Sequence, residues 1–348
     1  MKSSQRNDEA HRKTDVELEK LERRISSVYD KARKDLDQTV TEYFEKFRER
    51  DEQMKKEIGK THNGKVWTEK DYKQWRANQI ARGKRFEALR DKMAERYTHA
   101  NEIAISYIND KTPGIYSLNR NYSAYTIDKI TGGGITLAGD GETLNVDFIL
   151  FDERTVRRLI TENPDIMPYY PPARAVQRGI DLLYGKQQIT KAVTSGALRG
   201  LGVGQIADEL QAHIQTMNRT SALRAARTGV PEAQNAGRMD SYHQAEGMGI
   251  RLKKQWIATL DGRTRHSHRQ LDGEIQPNDK AFSNGCMYPG DHRGKPAEVY
   301  NCRCTLVAEL LDVDVSPGKR RAKDPDTGEY KVIEWTTYSE WEKSLKNA

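Results

Sequence analysis

From Leu18 to Phe47 the apolar residues Leu18, Leu21, Ile25, Val28, Ala32, Leu36, Val40, Tyr43 and Phe47 follow one another at steps of three and four. At 3.6 residues per turn, this keeps one narrow stripe along a helix of about ten turns over residues 15–50. Neither Gly nor Pro interrupts it. A stripe this narrow cannot bury itself. It demands a partner: a second helix of the same chain, another copy, or another protein.

A second helix is expected to open at Thr68, where Thr68-x-x-Asp71 has the form of a capping box with the acid one carbon short. It runs through Trp75, Ile80, Phe86, Leu89, Met93 and Tyr97 to about Ile108, completing an antiparallel helical arm over 1–110. At Thr112-Pro113-Gly114 the character changes, and Ala124–Ile127, Ile135–Leu137 and Val146–Leu150 are short β-prone pieces separated by glycine-rich turns. Residues 111–160 are therefore expected to form a small β insertion. Gly132-Gly133-Gly134 is not followed by Gly-Lys-Ser/Thr, which argues against a phosphate cradle there. Pro164, Pro168, Pro171 and Pro172 make a stiff connector into a helical, basic region over 161–249. Its helices are expected at Ala173–Leu183, at Gln188–Ser195, after Gly202, and through the alanine-rich residues 220–247. Residues 250–258 alternate as a strand would and lead into a turn-rich lobe over 250–310, with a tail at 311–348. The fold class expected is mainly α, with a small α+β C-terminal lobe.

Composition narrows the function classes. Charged residues make up 31% of the 348 and hydrophobic residues 36%, a balance suited to solvent-washed helices on modest cores. No apolar run approaches the roughly 18–20 residues of a bilayer span, and the N-terminus is charged rather than signal-like, which points to a cytoplasmic product without a membrane partner. The net charge is +7, and residues 171–260 carry twelve Lys/Arg against six Asp/Glu. A basic stretch of that size suits double-stranded DNA read without regard to sequence, with Arg219, Arg224, Arg227 and Arg238 as candidate contacts. It suits an ordinary solvated helix surface equally well.

All three cysteines (Cys286, Cys302, Cys304) and three of the eight histidines (His266, His268, His292) fall between Trp256 and Leu306, among five glycine-containing turn dipeptides. Tetrahedral zinc takes four N or S donors, and His268, Cys302 and Cys304 form the core of a possible set, with Cys286 or His292 as the fourth. Cys302-x-Cys304 is tighter than the usual C-x₂₋₄-C, so a buried, hydrogen-bonded core without metal remains an alternative. A disulfide is disfavoured by the reducing compartment and by the strained ring it would close. Asp261, His266, His268, Asp291, His292 and Asn301 could also be arranged as a metal-assisted nuclease or hydrolase within 261–304. The paired carboxylates and the nucleophile elbow that such chemistry uses are absent, so no catalytic residue is assigned.

The succession Asn235-Ala236-Gly237-Arg238, Lys254-x-Trp256-Ile257-Ala258, Leu260-Asp261-x-Arg263-Thr264-Arg265-x-Ser267-His268, Leu271-Asp272-Gly273 and Asn301-Cys302-Arg303-Cys304 resembles the phage minor head protein family named after protein F of phage Mu. The motif residues are Trp256, Asp261, Arg263, Arg265, His268, Asp272, Gly273, Asn301 and Arg303. Leu118–Tyr122, Thr155-Val156-x-Arg158-Leu159 and Tyr338-x-Glu340-Trp341 are similar to the version found in tailed phages of Gram-positive hosts. The resemblance implies a non-enzymatic head morphogenesis protein. Its partners would be the portal and other capsid proteins, and its role procapsid assembly and DNA packaging or ejection. It would pass from the host cytoplasm to the virion head interior or portal vertex. Many members carry Cys-x-x-Cys where this chain has Arg265-x-x-His268, one thiol fewer for any zinc site. Some carry a C-terminal toxin enzyme, for which the roughly forty residues after Cys304 are too few. Asp261 and Arg303 are expected to approach each other, with His268 and Asn301 completing a polar network.

Overall fold

A computed structural model describes residues 8–131, 134–136, 143–145, 149–162, 178–311 and 318–346. In chain order the elements begin α1 (Glu9–Lys55), β1 (Thr61–His62), β2 (Lys65–Val66), α2 (Glu69–Ile80), α3 (Lys84–Thr131), β3 (Gly134–Thr136), β4 (Thr143–Asn145) and α4 (Glu153–Glu162). There follow α5 (Arg178–Leu198), α6 (Val203–Gly247), β5 (Leu252–Ile257), α7 (His266–Gln270), β6 (Ile275–Gln276), α8 (Pro296–Val299), β7 (Thr305–Leu310), β8 (Lys319–Lys323), β9 (Tyr330–Glu334) and α9 (Tyr338–Lys346). The protein is mostly helical, and its few strands pair antiparallel, chiefly in the C-terminal part. The proline connector at 164–172, Gly132-Gly133, Gly139–Gly141, and the stretches 173–177 and 146–148 lie outside the described residues.

Two compact units are assembled from separated stretches, whereas the segments read from the sequence are consecutive. One comprises Glu22–Tyr107 with Arg174–Leu223. Here the stripe of α1 is covered by the chain itself: Ile25, Tyr29, Ala32, Leu36, Val40 and Phe44 are buried. The covered face lies one residue along from Val28 and Tyr43, so Tyr29 and Phe44 take their places. Polar bonds fasten its rims. Tyr29 donates to Asn101 of α3 at 2.7 Å, while Gln215 and Gln211 of α6 donate to Asp30 and Asp37 at 2.7 and 3.1 Å. No second copy is needed to hide this face. At the far end of α1, buried Asp51 accepts from Tyr72 and Arg76 of α2. Thr68 and Asp71 form the reciprocal capping box, and Asn63 and Gly64, both at positive φ, close the β1–β2 hairpin. The expected single second helix is split, because Gly83 at φ +84° ends one helix before α3 begins.

The other unit comprises residues up to Leu21, Ile108–Ala173 and Arg224 onward. Its first part corrects a β expectation: residues 111–131 continue α3 through Pro113. Ile115, Tyr116, Asn119, Arg120, Ser123, Ala124 and Ile127 are buried at alternating steps of one and three, the pattern of a helix face, and this packing overrides the β preference of Ala124–Ile127. Among the described residues of the insertion, β3 and β4 are strand, paired with Ile135 opposite Leu144. Every polar residue of Asn119-Arg120-Asn121 has a structural partner. Asn119 donates to Thr14 at 2.9 Å, Arg120 pairs with Asp240 and lies over the Phe151 ring, and Asn121 exchanges two bonds with the Phe151 backbone. Further along, β6-β5-β7 form a three-stranded antiparallel sheet with Trp256 opposite Leu306, and β8 pairs β9.

Candidate functional site

The candidate site lies where α6 meets β7 and the loops between β5 and β7. Helix α6 can approach α3 closely because position 237 is glycine: a Cβ there would collide with the Tyr116 carbonyl oxygen. Flanking that contact, Asn235 donates to the carbonyls of Pro231, Pro289 and Cys304 at 3.0, 2.9 and 3.1 Å, and accepts from the Leu306 amide at 3.2 Å. Arg238 donates to the Leu306 carbonyl at 2.8 Å, to Asn119 at 3.1 Å and to Asp8 at 2.7 Å. Buried polar groups that are fully partnered fix one geometry, since any other would strand them. Asn235-Ala236-Gly237-Arg238 is the seat of the sheet on the helix.

Arg238 is thereby removed from the candidate DNA contacts. It is buried, and its guanidinium is committed to Asp8, Asn119 and Leu306. Arg224 and Arg227 are exposed on α6, and Arg219 is partly exposed at 4.0 Å from Asp30.

Sheet strand β5 carries two buried anchors. Lys254 donates to the Asn278 and Met287 carbonyls at 3.2 and 2.8 Å and sits 5.2 Å from the Phe282 ring centre. Burial pushes its pKa down to about 8. Trp256 is fully buried, edge-on to both His268 and Phe282. Gly273, at φ +87°, donates to the Trp256 carbonyl at 2.8 Å and so closes the turn back onto β5.

Beyond β5 the loop is pinned by acids. Asp261 takes Arg303 in a two-point ion pair and accepts from the Arg263 amide at 3.0 Å. Burial pushes the Asp261 carboxyl up, but Arg303 outweighs it and holds the pKa below the ordinary range. His268 and Asn301 take no part in this pair, contrary to expectation. Asn301, at φ +55°, donates its amide to Thr228 at 3.3 Å, and His268 turns towards the cysteines. Arg265 reaches the Ala297 and Tyr300 carbonyls, spanning α8. Asp272 accepts from the Ala258 and Tyr338 amides, each at 2.7 Å, and from Arg320. Arg320 and Glu298 escaped notice as site residues because single charges in a charge-rich sequence carry no periodic signal, and Lys254 stands in the motif without an assigned role.

Three of the four proposed metal donors converge. The ligand atoms of His268, Cys302 and Cys304, all buried, lie within 4.8 Å of one another. His268 Nδ1 is 3.3 Å from Cys304 Sγ and 3.7 Å from Cys302 Sγ. Its Nε2 is 3.1 Å from Glu298 Oε2, close enough for an ion pair but out of line for a hydrogen bond. Burial pushes the Cys304 thiol up, but the Cys302 thiol and His268 beside it prevail and hold it well below its usual value; Cys302, donating to that sulfur, is held well above. Cys286 is buried elsewhere, against Gly294, and His292 binds Glu232 at 2.9 Å. All three cysteines are free thiols.

The proposed hydrolase set is not drawn together. His266 is exposed on α7, whereas Asp261 holds Arg303. Asp291 accepts from the Met287 amide at 2.8 Å and from Arg293 at 3.0 Å. Among the described residues, the only grouping of three or more His, Cys, Asp or Glu with metal-holding geometry is the Cys–His one. Among them, too, no helix is long and apolar enough to cross a membrane.

Residues 187–307 match the family described as Phage Mu protein F like protein. Over 349 residues the chain is 27% identical to the minor head protein GP7 of Bacillus phage SPP1, and the similarity takes in 99% of each. A stretch of 157 residues, 44% of this chain, is 33% identical to part of the NAD(+)–arginine ADP-ribosyltransferase EFV of Enterococcus faecalis and covers 31% of that protein. An uncharacterized protein of Haemophilus influenzae is 26% identical over 125 residues, 36% of this chain and 26% of its own. No solved structure matches. The α6 seat and the Cys–His group both fall within the matched residues, and the similarity to a minor head protein runs from end to end of the chain.

Proposed function

We propose that this chain is a minor head protein of a tailed phage, acting in head morphogenesis as a structural component rather than as an enzyme. The observation that carries this reading is the similarity to a minor head protein across 99% of both chains. The polar residues of the site support it. Asn235, Arg238, Asp261 and Asp272 are each occupied in holding helix, sheet and loops together, the work of a scaffold. In this reading the partners are capsid proteins, with the portal foremost, and the protein assists genome packaging or delivery. It is made in the host cytoplasm and carried in the head interior or at the portal vertex. Exposed Arg224 and Arg227, with Arg219, supply a sequence-neutral contact to DNA.

The test is genetic and structural. Phage carrying a nonsense mutation in this gene should give heads of reduced infectivity, restored by the chain in trans. A tagged copy should co-purify with virions and contribute density near the portal vertex. Virions devoid of the tagged chain, together with normal heads from the mutant, would overturn the reading.

A further inference from the structure

The Cys–His group has the dimensions of an ion-binding site. Zinc bonds of about 2.3 Å to sulfur and about 2.0–2.1 Å to nitrogen at a tetrahedral angle put the two donors roughly 3.5 Å apart. The two Nδ1–Sγ distances, 3.3 and 3.7 Å, bracket that value. One imidazole nitrogen is shared between two sulfurs, yet a neutral ring can satisfy only one of them as donor or acceptor at a time. The other nitrogen, buried and without a hydrogen bond, faces the Glu298 carboxylate at 3.1 Å. That carboxylate is itself held by Ser267 at 3.0 Å and Asn284 at 3.3 Å. A small rotation of the ring would bring this nitrogen into line with the carboxylate, the arrangement in which a metal-binding histidine donates its far N–H and has its tautomer fixed.

We propose that His268 Nδ1, Cys302 Sγ and Cys304 Sγ bind one zinc ion, with Glu298 orienting the imidazole and a water completing the tetrahedron. The ion would join α7 to the start of β7 across 34 residues of chain that hold only short elements, α7, β6 and α8. Closing a loop of that length removes entropy from the unfolded chain, so zinc would stabilise the lobe from which the sheet hangs. Cys286 lies outside the group and would not be a ligand. This inference is independent of the head-assembly reading, since it concerns an ion and not a partner.

The experiment uses the full chain, purified without chelator and assayed for metal by mass spectrometry. About one zinc per chain is expected, retained in Cys286→Ser and lost in His268→Ala and Cys304→Ser. Should those two variants fail to fold, cobalt exchanged into the wild-type protein decides the question. The expected signature is tetrahedral d–d bands with a charge-transfer band from two thiolates. Glu298→Gln should keep the ion but weaken affinity by about 10-fold or more. Folded wild-type protein that holds no zinc and takes up no cobalt would overturn the proposal. So would zinc that persists undiminished in folded Cys304→Ser.

Discussion

Arg320 of β8 lays both terminal nitrogens on the Asp272 carboxylate, at 2.8 and 3.0 Å. The same carboxylate accepts the amides of Ala258 and Tyr338, so one buried acid ties the end of β5 to β8 and to the first turn of α9. Arg320 also donates to the Ala258 and Thr336 carbonyls at 2.7 and 2.6 Å. Removing either partner leaves the other charge buried and alone, which costs about 3–5 kcal/mol. Arg320→Ala and Asp272→Ala are each expected to lower unfolding free energy by that amount in urea titrations. The double variant should lose clearly less than the sum of the two; strict additivity would mean that the pair carries no shared energy.

Gly237→Ala tests the contact between α6 and α3. On an exposed helix this change stabilises by up to about 1 kcal/mol. Here the added Cβ meets the Tyr116 carbonyl oxygen, backbone that cannot swing aside, so a loss of about 1–3 kcal/mol is expected. Gly204, also on α6 with nothing near its Cβ position, is the control, and its alanine variant should melt no lower than the wild type. Equal melting of the two variants would refute the close approach.

Burial pushes the Glu232 carboxyl up to about 7, with His292 pulling part of the way back and Asp291 pushing up. One oxygen faces His292 Nδ1 at 2.9 Å and the other has no hydrogen bond. Because the folded value lies above the unfolded one, the folded state holds this proton more tightly. The stabilisation is complete below the ordinary glutamate value of 4.5 and is lost as pH rises through about 7. Compared with Glu232→Gln, the wild type should lose up to about 3 kcal/mol of stability between roughly pH 5 and pH 8. Parallel pH curves for the two proteins would refute this.

Neutralising Arg219, Arg224 and Arg227 to Gln should lower the salt dependence of duplex DNA binding by about 0.9 in the log–log slope for each phosphate no longer neutralised. Filter binding across a salt series reads it directly. Arg238→Gln should instead reduce stability, because its guanidinium is spent on Leu306, Asp8 and Asn119. A slope unmoved by the triple variant would show that these arginines make no contact with DNA.

Helix α1, the Thr68 capping box, the α6 helix and the β5 strand were legible in the residues, because each rests on a local pattern: a repeat of 3.6 or 2, or a side chain reaching three residues along. The turn-rich lobe was legible too, since glycine at positive φ marks reversals wherever it falls, as at Gly273 and Gly290. Contacts between distant segments were not. The stripe of α1 announced that it needed cover but could not say that α2, α3 and α6 provide it. Ala124–Ile127 are β-prone by composition, yet packing made them helix. Nothing local distinguishes Arg238, buried against Asp8 some 230 residues away, from Arg224 in solvent. Likewise His268, Cys302 and Cys304 were nameable from the sequence as the core of a donor set, while the exclusion of Cys286 and His292 as a fourth donor depended on where the fold places them. Which segments can be helix, strand or turn follows from the residues alone, because those preferences act within a few residues. Which charges are buried, and which side chains meet, was decided by tertiary structure, because a buried polar group is tolerated only where the rest of the chain supplies its partner.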